Sequence, residues 1–322
     1  MVSMADVVEG RERWHVQLAD CRFALSCMPD ACVDAIVSDP PYELGFQGQE
    51  WDSAGIAFDR AMWGETLRVA KPGTHLVAFG GTRTYHRLVC AIEDAGWDIR
   101  DSLLVWTYGT GFPKSRDLRK ALELLGSAEA AERWEHWGTA LKPSWEPIVL
   151  ARKPLAGSIG ENLLKHGVGA LNIQDCRLRA SDDESSLDSA GRWPANTLLV
   201  HHPLCGNGDA GGCHRDCMVA ALDAQSGERP STLTGRADPS VSHAHPSKVE
   251  HCDSMFGVGG AQANVYADSG GASRFSSQFR FDPVLDVPFF YSPKANTAER
   301  TAGLDERSLH PTMKPVALMR WL

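Results

Sequence analysis

The tetrapeptide Asp39-Pro40-Pro41-Tyr42 constrains the fold of this chain more than any other stretch of its sequence. It follows an apolar run at 33–37 that predicts a short buried strand. The two prolines fix their φ angles and lack backbone N–H donors. Carbonyl oxygens and the Asp39 carboxylate are then the acceptors beyond the strand end, with the Tyr42 ring beside them. Such a rigid pocket suits a planar ring with an exocyclic amino group, as in a nucleobase.

Strand and helix patterns alternate through residue 153 and predict a mostly parallel sheet with helices on both faces. Strand patterns occur at 16–18, 33–37, 75–79, 101–107 and 146–152, and helical patterns at 63–70, 85–95 and 118–125. From about Pro154 to Pro283 the chain is rich in glycine, serine, aspartate, histidine and proline. This stretch contains two ordered islands, at 193–202 and at 216–224, and a return strand is predicted at 287–291.

Four segments, taken in chain order, resemble the amino-group DNA methyltransferases of the β-class. They are the tetrapeptide, a helix–turn–strand at 67–81, the Tyr108–Ser115 loop, and the His310-Pro311-Thr312-Met313-Lys314-Pro315 segment. In the β-class the catalytic tetrapeptide comes before the cofactor loop. The order also argues against RNA and protein methyltransferases with a similar tetrapeptide, because only 38 residues precede Asp39 here.

The resemblance implies an α/β fold, a doubly wound Rossmann-like methyltransferase sheet with an inserted loop-rich region. Residues 1–153 would form the catalytic half, 154–283 the target-recognition region, and 284–322 the return strand and the start of the cofactor half. In this family a Phe-x-Gly-x-Gly cofactor loop follows the Lys-Pro segment, whereas the present sequence ends at Leu322. We therefore expect an incomplete sheet with an uncovered catalytic strand, and either self-association or a complementing C-terminal half.

The reaction implied by the resemblance transfers a methyl group from S-adenosylmethionine to a flipped base of double-stranded DNA. Asp39 and the Pro40 carbonyl would accept the two amino hydrogens, Pro41 would stiffen the loop, and Tyr42 would stack on the base. Aspartate at the first position favours adenine N6 as the target. Cytosine N4 is the alternative, and a catalytically silent DNA-binding fragment is a third possibility.

Other candidate site residues follow from the same segments. The resemblance assigns His310, Lys314 and Pro315 to the cofactor. Asp20 borders the adenosine pocket or caps a helix, and Arg83 is a DNA contact or part of a tight Gly-Gly turn. Phe112 and Lys114 would face the base and the phosphates, or their segment is a plain strand–helix turn.

A cluster of ligand-type residues in the middle region has no counterpart in these segments. His202, Cys205, Cys213 and Cys217 could bind a structural zinc ion, or could be a chance grouping in a stretch rich in histidine and cysteine.

Composition excludes some classes. In the family that methylates cytosine C5, the cysteine nucleophile follows a proline. None of the nine cysteines here does, which argues against that class. The formal net charge of −9 means that DNA binding would depend on a local basic face. The sequence contains no apolar run of membrane-spanning length and no apolar signal core near residue 1, so we expect a cytoplasmic protein with no membrane partner.

Overall fold

A computed structural model describes residues 3–45, 48, 50–101, 103–108, 115–178, 192–202, 204–206, 212–230, 269–279, 314 and 316–322. The strands are β1 Val33–Ser38, β2 Ala70–Phe79, β3 Asp98–Ile99, β4 Leu104–Thr107, β5 Trp145–Arg152, β6 Thr197–Val200, β7 Arg229–Pro230, β8 Ser269–Gly270 and β9 Ser277–Phe279. The helices are α1 Met4–Val8, α2 Cys21–Ser26, α3 Arg60–Val69, α4 Tyr85–Asp94, α5 Leu118–Leu124, α6 Ala128–Arg133, α7 Ile159–His166, α8 Ile173–Cys176, α9 Met218–Ser226 and α10 Val316–Trp321.

A seven-stranded mixed sheet organises the fold, in the order β1-β2-β5-β4-β6-β9 with β3 also on β5. Within this described sheet, β5 runs antiparallel to β2, β3 and β4, while the pairs β1–β2, β4–β6 and β6–β9 are parallel. The predicted α/β class is therefore confirmed. The described sheet is mixed rather than mostly parallel in its pairing, because β5 runs against the other six strands and accounts for all three antiparallel pairs. β6 and β9 come from the 154–283 segment, so strand pairing crosses the predicted boundary at 153.

Two buried clusters cover the faces of the sheet. On one face, Trp63 and Ile92 from α3 and α4 pack with Trp97 against β2 and β5. On the other, Leu318 of α10 packs with Phe79, Trp106 and neighbouring strand residues. The indole N–H groups of Trp63 and Trp97 donate to the backbone oxygens of Ala57 and Trp63, so these rings bury no unpaired donor.

Local signals explain where several elements begin and end. The Asp59 carboxylate caps α3 by accepting from the Ala61 N–H. α7 has a capping box between Ser158 and Glu161, and it ends at Gly167 in the left-handed region, with φ 73°.

Two of the predicted strands, at 16–18 and at 287–291, do not correspond to a described strand. The pattern at 16–18 is not a strand, because Val16 and Leu18 are exposed and pair with no described neighbour; alternation alone cannot supply a partner. The return strand predicted at 287–291 lies outside the described residues.

β1 is an edge strand of the described sheet, with β2 as its one hydrogen-bonded neighbour there. The self-association that we predicted for an open edge stays a prediction. Among the described residues, no helix combines the length and the apolar character needed to cross a membrane.

The pKa of His75 on β2 is shifted by its surroundings in the sheet. It pairs with Arg152 of β5, and burial, together with the charges of Arg152 and Arg100, lowers its pKa from 6.5 to about 4. The ring is therefore neutral in the folded protein near neutral pH.

Candidate active site

The strand directions gather several polar side chains at one edge of the sheet. Asp39 follows β1 and Tyr108 follows β4, so both lie at the carboxyl edge of the parallel strands. Because β5 runs the opposite way, its first residues come to this same edge. Glu146, the second residue of β5, lies opposite Trp106 of β4. The carboxyl edge is where ligands bind in open α/β sheets.

Lys314 connects the side chains at this edge. Its Nζ lies 2.9 Å from Asp39 Oδ1 and 3.6 Å from Glu146 Oε2. It also donates to the Tyr42 hydroxyl at 2.9 Å, and that hydroxyl donates to Glu146 Oε2 at 2.6 Å. We call Asp39, Tyr42, Glu146 and Lys314 the edge network. It contains two carboxylates, one ammonium group and one phenol.

Burial differs across the edge network. The side chains of Lys314 and Glu146 are 3% and 8% exposed, whereas that of Asp39 is 30% exposed. Lys314 Nζ lies 4.8 Å from the centroid of the Phe79 ring and 5.0 Å from that of Tyr42, so aromatic faces complete its surroundings. Asp39 is thus the carboxylate of the network that an incoming ligand can reach most easily.

Both phenols near Glu146 remain protonated at ordinary pH. Burial, followed by the charges of Glu146 and Asp39, raises the pKa of Tyr42 well above 10. Burial and the charge of Glu146 also raise the pKa of Tyr108, whose hydroxyl lies 3.5 Å from Glu146 Oε1. Tyr42 therefore acts as a hydrogen-bond donor to Glu146.

The loop at 39–45 is held from two sides. The Thr84 hydroxyl donates to the Tyr42 carbonyl at 2.7 Å, and a Cβ on Gly81 would lie only 3.1 Å from Tyr42 Cδ2. On the other side, the buried Asp52 carboxylate accepts from the backbone N–H groups of Glu43 and Leu44. These contacts fix the direction in which Tyr42 enters the site.

The remaining predicted residues have several outcomes. Pro40 is buried, Pro41 is partly buried, and Arg83 is exposed. Asp20 caps α2 by accepting from the backbone and side chain of Arg22, which lower its pKa to about 2. These contacts agree with the alternative that Asp20 caps a helix. The other predicted residues, Phe112, Lys114, His310 and Pro315, lie outside the described residues.

The Gly80–Gly81 segment forms a tight turn. The Gly80 N–H donates to the Pro147 carbonyl, and the Gly81 carbonyl accepts from the N–H groups of Thr84 and Tyr85. The glycines are needed for close packing, because a Cβ on Gly80 would lie 3.2 Å from both Leu88 and Tyr85.

Three of the four predicted zinc ligands lie together in the structure, and His201 takes the place of the fourth, His202. Ligand atoms of His201, Cys205, Cys213 and Cys217 lie within 4.8 Å of one another. His201 replaces the predicted His202, because side chains alternate along a strand and its extension. His201 shares the buried side of Leu199, whereas His202 stacks on His214 with ring centroids 4.1 Å apart.

Glu146 and the position of Lys314 beside Asp39 were not predicted from the sequence. A signal for Glu146 was present, since a single acid stands near the start of an otherwise apolar strand at 145–151. Lys314 was assigned to the cofactor by resemblance, and its contact with residue 39 depends on how α10 docks on the sheet.

A strand-end acid held by a buried lysine beside a phenol is an arrangement suited to binding a ligand with amino donors. Comparison of the chain with protein families agrees. The N6/N4 methyltransferase model, described as DNA methylase, matches residues 33–322, and the chain therefore belongs to this family of DNA methylases.

Individual relatives match over shorter stretches. The type II methyltransferase M.HindIII of Haemophilus influenzae is 32% identical over 111 residues, which is 34% of this chain and 36% of that protein. The match thus spans about a third of the curated relative.

Two solved structures are also similar. TTHA0409 of Thermus thermophilus, in complex with S-adenosyl-L-methionine, has a TM-score of 0.30 and 22% identity, over 46% of this chain and 57% of its own. M1.HpyAVI has a TM-score of 0.25 and 16% identity, over 42% of this chain and 50% of its own. TM-scores this low carry no weight for the role of any single residue, so family membership rests on the match to the family model.

Proposed function

We propose that the chain transfers a methyl group from S-adenosylmethionine to the exocyclic amine of a flipped base in double-stranded DNA, with adenine N6 as the target. The observation that supports this most directly is the position of Asp39, ion-paired with Lys314 and partly exposed at the carboxyl edge of the sheet. Family membership supports the reaction type. The preference for adenine rests on aspartate at the first position of the tetrapeptide.

Asp39 and Pro40 would act on the amine as hydrogen-bond acceptors. Each would accept one N–H, which leaves the nitrogen lone pair directed away from the base plane for attack on the methyl carbon. Direct displacement requires no covalent intermediate with the enzyme, so rate enhancement would depend on orientation. Lys314 would hold the Asp39 carboxylate in one rotamer, through the 2.9 Å contact that is already present.

Tyr42 would bind the face of the base. Its hydroxyl is tied to Glu146 and Lys314, so the ring has little freedom to rotate before a base arrives. A ring ordered in advance loses less conformational entropy on stacking. Glu146 would therefore be a positioning residue, which acts through Tyr42 and Lys314.

The charges of the edge network suit a reaction with a cationic centre. Two carboxylates and one lysine sum to one negative charge, which complements the sulfonium of S-adenosylmethionine and the positive charge that develops on the attacked amine. S-adenosylmethionine, when bound, supplies the methyl group. Among the predicted ligands of S-adenosylmethionine, Lys314 belongs to the edge network and Asp20 caps α2.

The test uses the 322-residue polypeptide with unmethylated genomic DNA and isotopically labelled S-adenosylmethionine. Nucleosides from the digested DNA are separated by mass spectrometry. We expect N6-methyladenine from the wild type and none from Asp39→Ala. Asp34→Ala is the matched control, because Asp34 lies on the same strand but pairs with Lys71 at the surface. Label in N4-methylcytosine would reject adenine as the target, and activity retained in Asp39→Ala would reject the assigned role.

Calorimetry distinguishes the catalytically silent alternative. A methyltransferase should bind S-adenosylmethionine measurably, whereas a silent DNA-binding chain would shift DNA in a gel and show no heat of cofactor binding.

A DNA substrate is consistent with the cytoplasmic location predicted from the sequence.

A further inference from the structure

We propose that His201, Cys205, Cys213 and Cys217 bind one structural zinc ion in a closed tetrahedral site. The four residues have the spacing His-x3-Cys-x7-Cys-x3-Cys. Their ligand atoms lie within 4.8 Å of one another, and His201 Nδ1 lies 3.5 Å from both Cys213 Sγ and Cys217 Sγ. Tetrahedral zinc with ordinary Zn–S and Zn–N bonds separates a sulfur from a nitrogen by about 3.5 Å.

The fold brings these residues together from two elements and the loop between them. His201 directly follows β6, and Cys217 is the N-cap residue of α9. Cys205 and Cys213 lie on the intervening loop, and all three thiols are free cysteines rather than disulfides. The His214 N–H donates to Cys205 Sγ at 3.3 Å, a bond that stabilises a metal-bound thiolate.

A chain of hydrogen bonds fixes the orientation of the His201 ring. The Asp223 carboxylate can only accept, so the Ser273 hydroxyl donates to it, at 2.7 Å. The Gln278 amide N–H then donates to Ser273 at 3.0 Å, which turns the amide oxygen toward His201 Nε2, 3.0 Å away. Nε2 must therefore hold the proton, and the Nδ1 lone pair is directed at the thiols. Histidine ligands of zinc are typically oriented by such a partner on the other ring nitrogen.

The site is structural rather than catalytic, because protein side chains fill all four positions. It also compensates for a small core. The buried cluster here contains only Leu199, Cys217 and Val219 among the described residues, with three partly buried neighbours. Zinc would cross-link β6 to α9, and Gln278 would extend this connection to β9.

Zinc content of the purified chain is the first measurement. We expect about one zinc ion per chain, and Co²⁺ replacement should give the intense visible bands of a tetrahedral site with thiolate ligands. The cobalt spectrum is recorded on the wild type and does not depend on whether a variant folds. A chain that contains no zinc and gives no such bands would overturn the proposal, as would a disulfide among the three thiols found by mass spectrometry.

Paired variants identify the ligands. His201→Asn and Cys213→Ser should lose the metal, whereas His202→Asn should keep it; the opposite result for the two histidines would contradict the assigned ligand set. Gln278→Leu should weaken zinc binding by roughly 10- to 100-fold in competition with a chromophoric chelator. Gln225→Leu, on the exposed surface of α9, is its control and should bind as the wild type does. None of these measurements depends on methyl transfer.

Discussion

Replacing Lys314 by methionine is the most informative perturbation of the edge network. Methionine keeps most of the side-chain volume and removes the charge, so two carboxylates would lose their shared cation. Removing one member of a buried ion pair typically costs about 3–5 kcal/mol. The side chain of Asp39 is 30% exposed and can be partly solvated by water, whereas Glu146 is nearly buried. We therefore expect Lys314→Met to lower the free energy of unfolding by about 2–4 kcal/mol.

The control is the same substitution at Lys71. Lys71 pairs with Asp34, but their side chains are 29% and 65% exposed. An exposed ion pair contributes about 0–1 kcal/mol, so Lys71→Met should change stability by no more than that. Both variants are measured by urea unfolding at neutral pH, followed by tryptophan fluorescence.

A compensating change tests the electrostatic origin of the effect. Lys314→Met leaves the network with two negative charges, and adding Glu146→Gln returns it to one. The double variant should therefore recover about 1 kcal/mol or more of the lost stability. The reasoning is refuted if Lys314→Met and Lys71→Met destabilise equally, or if the double variant is no more stable than Lys314→Met alone.

Three further perturbations test the surroundings of the site. Gly81→Ala would press a methyl group against Tyr42 and should reduce methyl transfer severalfold in the labelled-DNA assay. Gly160→Ala, which has open space around it, should leave transfer unchanged, and a loss of transfer in that variant would refute the packing argument. Asp52→Asn exchanges one acceptor for a donor beside two backbone N–H groups and should cost about 1–3 kcal/mol in urea unfolding; a loss below the error of the fit would contradict this. His75 is neutral when folded, with a pKa of about 4, so its stabilising effect is complete above pH 6.5 and is lost as the pH falls from 6.5 towards 4. After discounting for its partial exposure, we expect wild type to lose about 1–2 kcal/mol more than His75→Gln over that range, and parallel pH profiles would exclude the effect.

The sequence predicted the fold where periodicity and chain breakers agreed. β1, β5 and α4 all lie within two residues of their predicted bounds, because strand alternation, helical spacing and terminal glycines are local signals. The helix predicted at 63–70 ends at Val69, but β2 starts at Ala70 and includes Pro72, where the sequence predicted a turn before a strand at 75–79. Ala70 pairs with Val33 of β1, and no local pattern reveals that pairing.

The sequence predicted the hydrogen-bond acceptors of the candidate site, but not the contacts of Lys314 with Asp39 and Glu146. Asp39 and Tyr42 stand in one short motif, so the motif alone suggested a pocket. Glu146 reaches the site only because β5 runs against its neighbours, and strand direction depends on the order of the whole sheet. His201 differs from its neighbour His202 by a single step of strand alternation, which could be assigned only once the end of β6 was known.

The hydrogen bond from Lys314 to Tyr42 joins residues 272 positions apart. During synthesis, the Asp-Pro-Pro-Tyr segment leaves the ribosome long before the lysine does. The nascent polypeptide therefore holds the acid without its counter-ion until translation has passed residue 314. A partly made chain lacks the cation that would orient Asp39, so the edge network forms only late in synthesis.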